Sequence, residues 1–428
     1  MFPDFLNTLP AEWKVLPVSE ACAFTAKPRS LDFGKYQELA FVPMDLIPTG
    51  RLHFSNFILK SPSEVTSGTY FEEGDLLVSK ITPCFENGKQ GIAHAIPNGF
   101  GIATTEVIPL KPRDGLTHLP FIAYYLLHHE VRHLIAAAME GATGRQRLPK
   151  DLLAQWPVPI PPIDEQRAIA RLLETIQTAA QVEAAICDKL AALKSATMAK
   201  LFREGLRGEP LKQTEIGEIP ESWEVKPVSA VSDAVSGGTP SKQRTDWWSG
   251  SIPWASPKDM KRLRLRDTED HITPEAAEAG SRIVPPKTVF IVVRGMVLAK
   301  DVPVAITEVP MAFNQDMKAL LPSERINPDF LLYALCARKS ALIQEIGTSA
   351  HGTRRMAGSS VDGLLIPVPK DSEEQRDIAE TLHMLDRREE ISKERVRCLQ
   401  ALFSSTLHAL MTGAIRVKDL DLAEVSDA

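Results

Sequence analysis

The segment 161–204 (PPIDEQRAIARLLETIQTAAQVEAAICDKLAALKSATMAKLFRE) returns later in the chain as KDSEEQRDIAETLHMLDRREEISKERVRCLQALFSSTLHALMTG. Glu374-Gln375-Arg376 stand where the first copy has Glu165-Gln166-Arg167, an offset of 209 residues. A long amphipathic segment that occurs twice constrains the fold more than any single motif, because each copy must cover its apolar stripe. In the first copy Ile169, Leu172, Ile176, Ala179, Ile186, Leu190, Leu193 and Thr197 recur at spacings near three and four, with Glu183 as a polar interruption. In the second, Ile378, Leu382, Leu385, Val396, Leu399, Leu402 and Leu410 do the same. These read as coiled-coil seams. A helix of some forty residues is about 60 Å long at 1.5 Å per residue, too long for a small domain to cover. Two independent amphipathic helices, each lying on its own domain, are the alternative; matching length and matching seams favour a pair.

The repeat extends beyond the helices. LPAEWKVLPVSE returns as IPESWEVKPVSA, with Trp13 matched to Trp223 at an offset of 210. FEEGDLLVSKI (Phe71 to Ile81) and PPKTVFIVVRG (Pro285 to Gly295) each read as a strand entered through a turn. Thr104 to Val107 corresponds to Asn314 to Met317, and Tyr124 to Tyr333. In both halves a polar Gly/Arg loop, GATGRQRL at Gly141 and HGTRRMAG at His351, leads into a Pro-Val-Pro segment and the long helix. Short β-branched runs broken by Pro and Gly, with one or two helices, predict an α+β fold: two globular domains with bent, mostly antiparallel sheets, separated by two long antiparallel coiled-coil helices. The boundaries read as 1–160, a spacer helix over 161–208, 209–370, a second spacer helix over 371–413, and an acidic tail over 414–428. The linker Gly205 to Ser222, rich in Gly, Pro and charge, marks the domain junction.

At 428 residues the chain is long enough for two or three domains. No run of eighteen apolar residues predicts a membrane span, and the first residues lack the pattern of a signal peptide. Five widely spaced cysteines argue against a disulfide framework or structural zinc and fit a reducing cytoplasm. A net charge of −6 does not by itself point to nucleic acid, so local charge must carry that reading.

Three motifs invite a catalytic reading. His129-Glu130-Val131-Arg132-His133 matches H-E-x-x-H, but the second half has Arg338, Lys339 and Leu342 at those histidine and glutamate positions, so the fold does not need it. Asn327-Pro328-Asp329-Phe330 resembles the N-P-P-F motif of amino-methyltransferases, yet Asn followed by Pro ahead of an apolar helix is equally a helix cap. A methyltransferase also needs a glycine-rich cofactor loop, and Gly99-Phe100-Gly101 lacks its third glycine. Ser236 to Pro240 (SGGTP) lacks the G-K-[ST] of a phosphate loop and reads as a turn. No catalytic, cofactor-binding or metal-binding residue is assigned.

What remains is concentrated basic charge. Lys258, Lys261, Arg262, Arg264 and Arg266 lie within nine residues beside Trp254, and Lys242, Gln243 and Arg244 stand next to Trp247 and Trp248. Arg145-Gln146-Arg147 and Arg354-Arg355 occupy the same polar loop in each half. These side-chain types read base edges and hold phosphates, and repetition in both halves weighs against a merely solvated surface.

The helix openings Pro-x-x-x-Glu-Gln-Arg-x-Ile-Ala in the first copy, TEIGEIPESWEV (Thr214 to Val225), ITPCFENGKQGIA (Ile81 to Ala93), TTEV, SGGTPS and WASPKDM (Trp254 to Met260) resemble the specificity subunits of type I restriction-modification systems. The resemblance covers nearly the whole chain. It implies two target-recognition domains, each reading half of a split double-stranded DNA site, and two helices that space them and dock two methyltransferase subunits and the restriction/translocase subunits. It implies DNA methylation and phage defence in the cytoplasm. S-adenosylmethionine, ATP and Mg are then expected on the partner subunits. The DNA contacts expected are Lys80, Asn87, Lys89, Gln90, Arg145, Gln146 and Arg147 in the first half, and Lys242, Gln243, Arg244, Lys258, Lys261, Arg294, Arg354 and Arg355 in the second. The second half has GMVLAKDV (Gly295 to Val302) where ENGK stands in the first. The seam is expected at Ile169, Ile176, Leu190 and Leu193 against Ile378, Leu385, Leu399 and Leu402. Since one turn of duplex advances about 34 Å, a coil of this length serves as a ruler between readers. The competing expectation is an enzyme in its own right, an N6-adenine methyltransferase or a zinc metallopeptidase.

Overall fold

A computed structural model describes residues 2–142, 144–348 and 354–420. His351 to Thr353 of the second polar loop and most of the acidic tail, 421–428, lie outside the described residues. By compactness the chain divides into two units, Met1–Ile186 with Ser392–Ala428, and Cys187–Ile391. The divisions fall inside the long helices, Ile163–Glu204 and Ser372–Met411, whereas the boundaries read from the sequence fall at their ends. The reason is packing: each globular region holds the first half of the helix that follows it and the last half of the other.

In the first unit the five-stranded sheet runs in the order Cys22–Phe24, Val107–Pro112, Leu76–Ser79, Gln90–Ala93, His53–Phe54. It is antiparallel except at the His53–Phe54 edge. A four-stranded sheet runs Ile58–Lys60, Leu39–Val42, Phe100–Ala103, Thr69–Glu72, with one parallel pair at its centre. Lys14–Pro17 pairs antiparallel with Pro157–Ile160, so the chain entering the unit is tied to the chain leaving it. All four residues of Leu76–Ser79 are buried, as expected of a strand covered on both faces. Helix α1 (Leu119–Leu127) buries seven of its nine residues, including Phe121, Tyr124 and Tyr125. Helix α2 (His129–Ala137) buries only Val131 and Ile135.

The second unit repeats this plan. Its five-stranded sheet is Ser232–Ser236, Met317–Pro322, Val289–Val292, Val304–Thr307, Arg264–Leu265, and its four-stranded sheet is Asp270–Ile272, Ile252–Ala255, Met311–Phe313, Ile283–Val284. Glu224–Pro227 pairs with Leu365–Val368. Helix α3 (Pro328–Ala337) takes the place of α1.

The Glu-Gln-Arg opening is explained by its contacts. In the first unit Trp13 Nε1 donates to Glu165 Oε2 at 3.2 Å, and Gln166 Nε2 donates to the Leu116 and Pro161 carbonyls at 2.9 and 2.8 Å. In the second, Trp223 Nε1 donates to Glu374 Oε2 at 3.3 Å, and Gln375 Nε2 donates to the Pro369 carbonyl at 2.9 Å. Each glutamate also meets an arginine from beyond the end of the opposite helix: Arg416 on Glu165 at 2.5 and 2.7 Å, and Arg207 near Glu374 at 3.6 Å. Both helices stop at a glycine with left-handed φ, Gly205 at +61° and Gly413 at +69°, where a Cβ would stand 2.8 Å from Glu374 Oε1 and 2.4 Å from Pro10 Cδ. Only glycine accepts both the angle and the close approach.

Within each unit the two helix segments run antiparallel. Ser392 Oγ donates to Glu183 Oε1 at 2.7 Å in the first, and Lys194 pairs with Asp386 in the second. Ile169 and Ile378 are buried, and Ile176, Leu190, Leu385 and Leu399 are half-buried. Leu193 and Leu402 are a correction: they are 52% and 49% exposed and lie outside the seam, as does Ile186. A 3.5-residue period names a stripe but cannot say which part of it meets a partner. Polar residues fill the middle of the packed face, and the apolar stripe points partly outward.

Candidate nucleic-acid interface

In the first unit the central strand Leu76–Ser79 runs out into Lys80, Ile81 and Thr82, and the polar loop is pinned beside it. Leu148 N–H donates to the Lys80 carbonyl at 2.7 Å, Thr82 N–H to the Gln146 carbonyl at 3.0 Å, and Ile81 forms an antiparallel bridge with Arg147. Lys80 N–H in turn donates to the Glu106 carbonyl at 2.9 Å. Arg147 then reaches Glu106 with two hydrogen bonds, Nε to Oε2 at 3.0 Å and Nη2 to Oε1 at 2.9 Å. Those bonds hold the Glu106 carboxyl below its usual range, so it stays ionised and keeps the guanidinium oriented. The cleft here, about 520 Å³, is lined by Lys80, Glu140, Gly141, Arg147, Leu148, Pro149 and Lys150. Arg145 is exposed, and Gln146 Nε2 donates to the Met139 carbonyl at 3.4 Å.

The second unit builds the same edge. Met356 N–H donates to the Val293 carbonyl at 2.9 Å, Gly295 N–H to the Arg354 carbonyl at 3.0 Å, Val293 N–H to the Asp316 carbonyl at 2.8 Å, and Arg294 bridges Arg355. Arg294 Nη1 lies 3.6 Å from Asp316 Oδ1, while Arg355 is exposed and Arg354 half-buried. An acid at one position, Glu106 or Asp316, thus braces an arginine in both units. The TTEV and NQDM correspondence carried this signal, since an acid recurs there at an offset of 210. Its role was not legible without knowing what lies beside it. Lys150 is likewise a lining residue that the sequence reading did not single out.

The ENGK loop of the first unit is tied down by Asn87 N–H to the Pro83 carbonyl and Lys89 N–H to the Cys84 carbonyl, at 3.0 and 2.9 Å, around the buried Phe85. Asn87 is exposed and Lys89 half-buried. Gln90 is a correction: it is buried, and its Nε2 donates to the Ala123 carbonyl at 2.6 Å, so it ties the sheet to α1 and is not available to a groove.

The basic cluster near Trp254 is also redistributed. Arg264 is largely internal, hydrogen-bonded to Glu308 at 3.1 Å, Asp329 at 2.5 Å and His383 Nδ1 at 3.1 Å. Arg266 is taken by Glu308 at 2.5 Å, and Lys258 by Glu269 and Asp270 at 3.2 and 2.9 Å. Trp254 is buried with its Nε1 donating to the Gly238 carbonyl at 3.1 Å. Arg244 pairs with Asp246 at 3.0 and 2.7 Å and lies 4.7 Å over the Trp247 ring. Lys242, Gln243, Lys261 and Arg262 are exposed.

The catalytic motifs resolve into structure. Asn327 caps α3, its Oδ1 accepting from Asp329 and Phe330 N–H at 2.9 and 3.0 Å. In the H-E-x-x-H segment, Glu130 Oε1 accepts the Asp4 N–H at 3.3 Å, and His133 is exposed.

The family model for the type I restriction modification DNA specificity domain matches residues 10–192 and again 220–399. The chain is 31% identical over 280 residues to the type I restriction enzyme EcoR124I/EcoR124II specificity subunit of Escherichia coli, covering 64% of each protein. It is 31% identical over 194 residues to the Escherichia coli EcoAI specificity subunit, covering 44% of this chain and 31% of that one. The chain therefore spans less than two thirds of the length of these relatives. The fold is similar to that of the type I restriction-modification S subunit from M. genitalium, with a TM-score of 0.60 at 16% identity over 96% of this chain and 99% of that one. No helix among the described residues is long and apolar enough to cross a membrane.

Proposed function

Because the chain belongs to the type I restriction modification DNA specificity domain family, we propose that it is the DNA-specificity subunit of a type I restriction-modification complex. In this reading each unit reads half of a bipartite double-stranded target and carries no catalytic step itself. The observation that carries it is the matched edge: Arg147 bridging Ile81 in one unit and Arg355 bridging Arg294 in the other, with an acid at the equivalent position that pairs with Arg147 in the first unit and with Arg294 in the second. Arginine held in a fixed fork suits bidentate recognition of guanine or phosphate. Lys80, Lys89, Arg145 and Lys150 in the first unit, and Lys242, Lys261 and Arg354 in the second, add positive charge that positions the duplex backbone.

The partners are methyltransferase subunits, two per chain, and restriction/translocase subunits, which hold S-adenosylmethionine, ATP and Mg in the cytoplasm. The exposed apolar side chains of the long helices, Val182 and Leu402 in the first unit and Leu193 and Met384 in the second, are the surfaces on which we place those partners.

The test is Arg147→Ala and Arg355→Ala, each assayed in the assembled complex against specific and scrambled DNA. Each variant loses specific affinity by about 5- to 150-fold, the scale of a lost bidentate base contact. Unchanged affinity and site preference in both variants would remove these loops from the interface.

A further inference from the structure

We propose that His128, His129 and His408 form a binding site for one divalent transition-metal ion, with zinc as the expected occupant. All three belong to the first unit: His128 and His129 at the junction of α1 and α2, His408 on the second long helix. Each offers one imidazole nitrogen, and these nitrogens lie within 4.8 Å of one another. His128 Nε2 and His408 Nδ1 are 3.0 Å apart. That spacing is close to the edge of about 3.3 Å expected between two ligands of a tetrahedral ion with bonds of about 2.0–2.1 Å. His129 completes the group, with its ring centroid 5.8 Å from that of His408.

Three features set this cluster apart from chance. His128 is buried, its ring packed edge-on against Phe5 at 5.1 Å, with its Nε2 facing His408 Nδ1. His129 and His408 are exposed, so an ion and water ligands have access. The repeat supplies a control, because the positions 209 residues away hold Ala337, Arg338 and Ala199. The same elements pack in the second unit without an imidazole, so packing does not require these histidines.

Three neutral imidazoles with open positions suit zinc, nickel or copper better than magnesium or calcium. The ion would tie the α1–α2 junction to the second long helix, beside the closure already made by Arg416 on Glu165 and Glu12. The site is distinct from the H-E-x-x-H motif, since its second histidine, His133, is not one of the three. Its role is a clamp on the first unit.

The test is zinc titration of the untagged full-length chain by calorimetry, with Co2+ absorption as a second probe. One zinc binds per chain and raises the thermal midpoint. His408→Ala and His129→Ala, both at exposed positions, each weaken binding by at least about ten-fold and abolish the thermal shift. His133→Ala leaves both unchanged. Circular dichroism without metal verifies that each variant folds, and if His408→Ala does not, His129→Ala carries the comparison. Equal zinc affinity in the wild type and the folded variants, the absence of saturable binding, or thiolate-to-cobalt absorption that places the ion on cysteine would each overturn the proposal.

Discussion

Tyr333 donates its hydroxyl proton to Asp386 Oδ2 at 2.5 Å, deep in the second unit, where Lys194 also reaches the same carboxylate. Burial, with Asp386 adding to it, pushes the Tyr333 phenol far above its usual range, so it remains a donor at every working pH. The counterpart in the first unit is neutral: Tyr124 donates to Gln177 Oε1 at 3.1 Å. The repeat therefore keeps a tyrosine-to-helix bond but changes its charge.

That difference predicts unequal losses. Asp386→Ala strands a buried hydroxyl and an ammonium and lowers the stability of the second unit by about 3 kcal/mol. Gln177→Ala removes one neutral acceptor and lowers that of the first by about 1 kcal/mol. Denaturant titration followed by hydrogen exchange in each unit measures both. Equal losses would show that the charge adds nothing.

Asp75 predicts a pH dependence. It is buried at the entrance to the central strand, and burial raises its pKa to about 6, partly offset by the Glu72 N–H it accepts at 2.7 Å. The folded chain therefore holds this proton more tightly than the unfolded chain. The resulting stability is fully present below about pH 4 and is lost as pH rises through about 6. Asp75→Asn keeps the acceptor without the charge and should stabilise the first unit by about 1–3 kcal/mol at pH 8, with the gain shrinking toward pH 5. The second unit already has a neutral side chain there, Thr288, bonded to the Pro285 carbonyl at 2.7 Å. Melting curves of both proteins from pH 5 to 8 decide it; a constant gap would refute the linkage.

Glu106 tests how Arg147 is used. If the acid holds the guanidinium in register, Glu106→Ala keeps or raises affinity for scrambled DNA, because a negative charge is removed from the edge, while the preference for the specific site falls. Fluorescence polarisation of the assembled complex at several salt concentrations gives both quantities. An unchanged ratio of specific to scrambled binding would leave Glu106 as loop scaffolding only.

The spacer reading predicts that one heptad inserted at corresponding points of both long helices lengthens the unspecified gap in the DNA target. Methylation mapping in a host carrying the partner subunits reads the gap directly. The same gap after insertion would discard the ruler.

Much of the architecture is local enough to be visible in the primary structure. The offset of 209 residues between Glu165 and Glu374, with Trp13 and Trp223 ahead of them, marks two equivalent units because the tryptophan, the glutamate and the glutamine make the same kinds of contact in each. The helix stops at Gly205 and Gly413 are local signals, since glycine accepts the left-handed backbone that ends a helix. Membership of a basic patch is different, because charge is cancelled by residues distant in sequence. Arg264 meets Asp329, 65 residues away, and Arg147 meets Glu106, 41 away, so one becomes internal scaffolding and the other a braced arginine at an open edge.

The amino-acid order thus determined the repeat, the long helices and the strand-rich regions, since periodicity, caps and turns act over a few residues. Tertiary structure alone decided that Gln90 is buried, that Leu193 and Leu402 face outward, and that Arg147 and Arg355 occupy one equivalent position. It alone brought His408 to His128, 280 residues apart. Those outcomes depend on which surfaces meet once the chain has closed on itself, and spacing along the chain carries no record of that.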